Sequence, residues 1–110
     1  MEEMTLREYQ ALARRTQNFE LTNEKRMLHA LHGISAETGE IHAMYQKLYQ
    51  GHEFDVDVMA LEIGDLMWFI AELCDALGID LNEVGRRNIR KLQQRYPQGF
   101  EAERSVHREE

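Results

Sequence analysis

The sequence predicts an all-α protein, a four-helix bundle-like unit of long antiparallel helices. Three observations carry this. Apolar residues recur at three- and four-residue spacing along most of the chain, capping signals head the periodic stretches, and no stretch alternates as a half-buried strand would. One proline and seven glycines among 110 residues leave few interruptions.

The first helix opens at Thr5, with Glu8 completing a capping box, and runs to about Thr16 through Leu6, Tyr9, Leu12 and Ala13. Thr22 or Asn23 caps a second helix carrying Met27, Ala30, Ile34, Ile41, Met44 and Leu48, which Gly51 ends, with a kink expected near Gly33 or Gly39. Asp55 or Asp57 caps the third and most apolar helix, which runs to Leu77 and stops at Gly78. Ile63, Leu66, Ile70, Leu73, Cys74 and Leu77 cover one broad side of it, widened by Trp68 and Phe69, so it is expected to be central. Asp80 and Glu83 form a second capping box, opening a fourth helix that Tyr96-Pro97 closes. Residues 98–110 read as a polar, irregular tail that Phe100 anchors.

The length suits a single domain spanning residues 1–110, small enough to gain from an oligomer interface. A net charge of −7 repels phosphate backbones and argues against nucleic acid as a partner. The longest apolar run, Leu66 to Ala71, is far below the ~20 residues of a membrane span. Together with the lone Cys74, read as a core residue, this predicts a cytoplasmic protein without a membrane partner.

The chemistry concentrates in two acidic pairs, Glu37-Thr-Gly-Glu40 and Glu62-Ile-Gly-Asp65. Each pair shares a helix face. No basic residue stands three or four positions from any of these acids, and each pair borders an apolar stripe, so the carboxylates are expected to face the bundle. Like charges gathered there call for a cation. Gly39 and Gly64 hold equivalent positions, each costing about 1 kcal/mol against alanine, and close approach of a helix or ligand is the expected reason. All-carboxylate ligands favour Mg²⁺, with Mn²⁺ a substitute, over zinc or copper. The Glu-x-x-His motif of bundle di-iron sites is absent. Mg²⁺ commonly shares its shell with substrate phosphates. Asn88, Lys91 and Arg95 on one face of the fourth helix, and Lys47 seven residues after Glu40, are candidates to grip them; a solvated last turn is the competing reading for Lys91 and Arg95.

Several other residues carry weaker expectations. His29 and His32 read as surface or packing residues, Trp68 as core, and Glu72 as an outer acid of the site or a solvated one. Gln10, Thr16 and Asn18 are candidates to read a base. A phosphate-binding glycine loop ending in Lys-Ser/Thr is absent.

Glu37-x-x-Glu40, then Glu62-x-x-Asp65, then Asn88-x-x-Lys91-x-x-x-Arg95-Tyr96-Pro97 resembles the MazG-type all-α nucleoside triphosphate pyrophosphohydrolases, over about Leu6 to Arg108. The Arg95-Tyr-Pro-x-Gly-Phe100 continuation is similar to short, single-domain, phage-like members. The resemblance implies Glu37, Glu40, Glu62 and Asp65 as Mg²⁺ ligands and catalytic acids, with Lys47, Asn88, Lys91 and Arg95 on the phosphates. It implies cleavage of a nucleoside triphosphate between the α and β phosphates, and a homo-oligomer, dimer or tetramer, around a shared helical core. The alternative from another class is a catalytically silent helical module that binds a divalent cation or a partner helix through the same face.

Overall fold

The computed structural model describes residues 3–107. Helix α1 (Leu6–Ala13) is closed at its start by the expected box: Thr5 Oγ1 accepts from the Glu8 N–H, and the Thr5 N–H donates to Glu8 Oε1, both at 3.0 Å. A 3-10 turn (Arg14–Thr16) follows. Helix α2 (Asn23–Gln46) is capped by Thr22, passes through Gly33 and Gly39 without leaving helix, and tightens into a second 3-10 turn (Lys47–Gln50). Gly51 ends it at φ +89°, a left-handed conformation that suits glycine. Helix α3 (Val56–Leu77) starts on Asp55, which accepts from the N–H groups of Asp57 and Val58, and stops at Gly78 with φ +73°.

Helix α4 (Leu81–Arg95) is capped by Asp80 through the Asn82 N–H. Glu83, expected to complete a second box, turns instead to Arg86 at 3.9 Å and Arg87 at 3.6 Å. The tail is less irregular than expected. It folds a short helix α5 (Ala102–Val106), while Phe100 rests on Tyr96 with ring centroids 5.4 Å apart and stays 75% exposed. Residues 108–110 of the expected tail, including the Arg108 end of the resemblance, lie outside the described residues. No strand occurs among the described residues.

Helices α2 and α3 form an antiparallel hairpin whose seam is built in layers. Arg26 meets Asp75, His29 meets Glu72, Gly33 receives the ring of Phe69, and Glu37 approaches Glu62. Gly33 is required there, because a Cβ would stand 2.2 Å from the Phe69 ring. Helix α1 packs on α3, and α4 packs on α1. Ala13, Ala71, Cys74 and Leu81 form the buried cluster at this junction, with Tyr9, Trp68 and Ile70 against it. Gln10, buried, spans the α3–α4 turn: its Nε2 donates to the Ile79 carbonyl at 2.9 Å and its Oε1 accepts from the Leu81 N–H at 2.7 Å. Asp75 accepts from both Arg14 and Arg26, and Phe19 lies beneath both guanidinium groups at 4.7 and 4.5 Å. Burial pushes the Asp75 carboxyl up, but the hydrogen bonds from Arg26 and Arg14 outweigh it and hold its pKa below the ordinary value.

The broad apolar side of α3 is contacted by two helices yet incompletely covered: Leu61, Ile63 and Leu77 remain exposed. A radius of gyration of 17.2 Å fits this open arrangement, since a compact chain of this length would measure about 13 Å.

Candidate metal centre

The acidic pairs lie where the hairpin seam reaches its last layer. Ligand oxygens of Glu37, Glu40 and Glu62 come within 4.8 Å of one another, close enough to hold one ion. Asp65, one turn further along α3, stands beside this trio rather than in it, near enough for its charge to raise the pKa of both Glu40 and Glu62. Glu37 and Glu62 are half-buried, whereas Glu40 and Asp65 are exposed. The expectation that all four face the bundle is corrected for those two: Asp65 stands near enough to Tyr9 of α1 for its charge to be felt there, yet Asp65 and Glu40 both stay exposed.

The electrostatics of the trio are those of acids waiting for a cation. Contact with the Glu62 carboxyl, followed by its charge, pushes the Glu40 carboxyl up. Contact with Glu37 does the same to Glu62. Glu37 Oε2 and Glu62 Oε2 are buried and accept no hydrogen bond. A buried oxygen without a donor is costly, and a hard divalent cation satisfies such oxygens without a proton. The residues therefore fit a divalent metal, and an all-oxygen donor set suits a hard one.

The other candidates are dispersed. Lys47 is exposed where α2 passes into its 3-10 turn. Asn88 and Lys91 are exposed on α4, and Asn88 lines an open groove of about 620 Å³ with Leu6 and Ile89. Arg95 is half-buried at the end of α4 and has interactions of its own. The glycines Gly39 and Gly64 are not explained within the chain, since a Cβ at either meets nothing within 4 Å. Gln10 is a structural clamp rather than a base reader, and Thr16 Oγ1 accepts from Trp68 Nε1 at 2.8 Å. Asn18 accepts from the Glu20 N–H in the turn before α2.

Glu72 is neither an outer acid nor solvated. It is 1% exposed, and His29 Nδ1 lies 2.7 Å from its Oε1. Sequence reasoning also missed Arg26, whose neighbours along α2 give no sign that Asp75 waits across the seam.

No helix among the described residues is long and apolar enough to cross a membrane. No solved structure matches the chain. It is similar to the Gene 37 protein of Mycobacterium phage L5, 33% identical over 72 residues, a stretch covering 61% of this chain and 63% of that protein's length. The family model described as the MazG nucleotide pyrophosphohydrolase domain matches residues 25–100, which take in both acidic pairs and all of α4. The chain belongs to the MazG nucleotide pyrophosphohydrolase family.

Proposed function

We propose that the protein is a Mg²⁺-dependent nucleoside triphosphate pyrophosphohydrolase, with Mn²⁺ able to substitute, acting as one domain over the whole chain. It cleaves an NTP or dNTP between the α and β phosphates to give the monophosphate and pyrophosphate. The observation that carries this reading is the Glu37, Glu40 and Glu62 cluster with its two buried, unbonded oxygens, in a chain of this family.

Glu37, Glu40 and Glu62 hold the cation, and Asp65, one turn further along α3, completes the set of acids around it. When bound, the cation polarises the phosphoryl oxygens and activates water for in-line attack. Glu37 or Glu40 orients that water and takes its proton. Lys47, Asn88, Lys91 and Arg95 bind the phosphates and stabilise charge on the departing pyrophosphate. The partner is a nucleoside triphosphate, not nucleic acid or a membrane, and the setting is the cytoplasm. The uncovered apolar side of α3 supports a homo-oligomer, dimer or tetramer; sedimentation equilibrium giving a monomer at micromolar concentration would remove that part.

The test is incubation with Mg²⁺ and a nucleotide panel, with products resolved by ³¹P NMR. Monophosphate plus pyrophosphate is expected. Diphosphate plus orthophosphate would overturn the bond assignment. Absence of turnover, with Mg²⁺ bound, would leave the silent cation-binding module. Glu62→Gln is expected to abolish turnover while the helical CD spectrum is kept.

A further inference from the structure

Among the described residues Glu72 is the largest fully buried side chain, and it takes no part in the metal cluster. A carboxylate is costly to bury, and it persists where its bonds do something. This one bonds His29, whose side chain is still 51% exposed. The imidazole is fixed on three sides: Nδ1 on Glu72, an edge-on contact with Trp68 at 6.4 Å and 87°, and a tilted contact with Phe69 at 5.7 Å. Trp68 is itself tied by its N–H to Thr16. A half-exposed histidine held this firmly presents one atom in a defined direction.

That atom is Nε2. With Glu72 ionised, the carboxylate accepts the Nδ1 proton, and a ring carrying only that proton turns the Nε2 lone pair away from Glu72 as an acceptor. Along α2, Lys25, Arg26 and His32 stand within one turn of His29, and Arg26 is committed to Asp75. Its position matters as much as its orientation. His29 lies eight residues before Glu37 on one continuous helix, about 12 Å at 1.5 Å per residue, with only the Gly33–Phe69 layer between. A nucleoside monophosphate extends a comparable distance from its phosphorus to the far edge of its base, so an α-phosphate held at the acids lets the base edge reach towards His29.

We infer that His29 contacts the nucleobase, that Glu72 is its positioning residue, and that the favoured substrates carry an amino group at pyrimidine C4 or purine C6, as cytosine and adenine do, in preference to uracil and thymine, which present a carbonyl there. This rests on the hydrolase reading for its setting and for the kinetic test, but not for the NMR readout. In kinetics, dCTP and dATP are expected to exceed dUTP and dTTP in kcat/KM. His29→Ala is expected to cost the first pair about tenfold, mostly in KM, the worth of one hydrogen bond, and to leave the second pair unchanged. His29→Ala strands Glu72, so the double variant His29→Leu with Glu72→Leu repeats the measurement with both partners apolar. Glu72→Leu alone, which frees the ring, is expected to show the same base-selective loss, whereas a purely structural role would lower all four alike. All four falling together, or none falling, would overturn the inference. A second readout needs no turnover: ¹⁵N-histidine NMR of the wild-type protein with Mg²⁺ and α,β-methylene analogues of dCTP and dUTP. A His29 Nε2 shift with the first analogue only sustains the inference even if hydrolysis fails. Equal shifts, or none, sink it even if hydrolysis is found.

Discussion

Gly33 and Gly39 sit on the same helix, and their surroundings treat them in opposite ways. A methyl group at Gly33 would overlap the Phe69 ring, whereas at Gly39 or Gly64 it would meet open space. Gly33→Ala is therefore expected to destabilise the fold by about 1–3 kcal/mol through overpacking, and Gly39→Ala to stabilise it by about 1 kcal/mol through helix propensity, both read by urea denaturation. A Gly39→Ala protein that gains stability but loses turnover would place the close approach in the ligand complex or assembly. Asp75 offers a second residue-scale case. Removing it strands Arg26, whose side chain is 4% exposed, so Asp75→Ala should cost about 3 kcal/mol. Its folded-state pKa is lowered, so its contribution is present above the unfolded value and lost as pH falls through the folded one. Acid titration of Asp75→Asn, followed by CD, is expected to lack a loss of stability that wild type shows below about pH 4. These pairs were not legible in the sequence. Arg26 and Asp75 are 49 positions apart, His29 and Glu72 are 43 apart, and helical periodicity says which face a residue occupies but not which helix will meet it.

At the scale of elements, what was legible was what is local. Thr5 with Glu8, Asp55, Gly51 and Gly78 bound their helices as expected, because a cap acts on backbone groups within a turn. Glu83 departed because arginines three and four residues on compete for it. Helix α5 escaped notice, since five residues are too few to show a period. The spacing of the acids placed each pair on one helix face, but only the hairpin register decides that Glu37, Glu40 and Glu62 converge while Asp65 stands aside. The α3–α4 turn depends on a residue from neither helix. Gln10→Ala would leave the Leu81 N–H and Ile79 carbonyl without their partner, at a cost of about 1–3 kcal/mol. Hydrogen exchange at the Leu81 amide is expected to accelerate in that variant while amides of the α2–α3 seam stay protected.

For the molecule as a whole, the acidic cluster sets a tension between stability and charge. The pKa values of Glu40 and Glu62 are raised on folding. The folded state thus binds protons more tightly than the unfolded chain, and stability without metal falls as pH rises from the unfolded towards the folded values. A cation competes for the same oxygens. Saturating Mg²⁺ is therefore expected to raise Tm most at neutral pH, and the gain should shrink to nothing as pH falls below the ordinary carboxylate range; differential scanning calorimetry across pH checks it. A gain independent of pH would mean that Mg²⁺ acts elsewhere on the chain.

Cys74 is the single cysteine of the sequence, 6% exposed in the cluster where α1 and α4 meet α3, with burial and the nearby charge of Asp80 pushing its thiol pKa up. A thiol reagent reaches it only when that junction parts. The natural chain thus carries its own clock: the rate at which the thiol is labelled under native conditions counts openings of the junction, with no probe engineered in. Slower labelling once Mg²⁺ or a nucleotide is added would register occupancy at the far end of α3 as a change in the breathing of its near end.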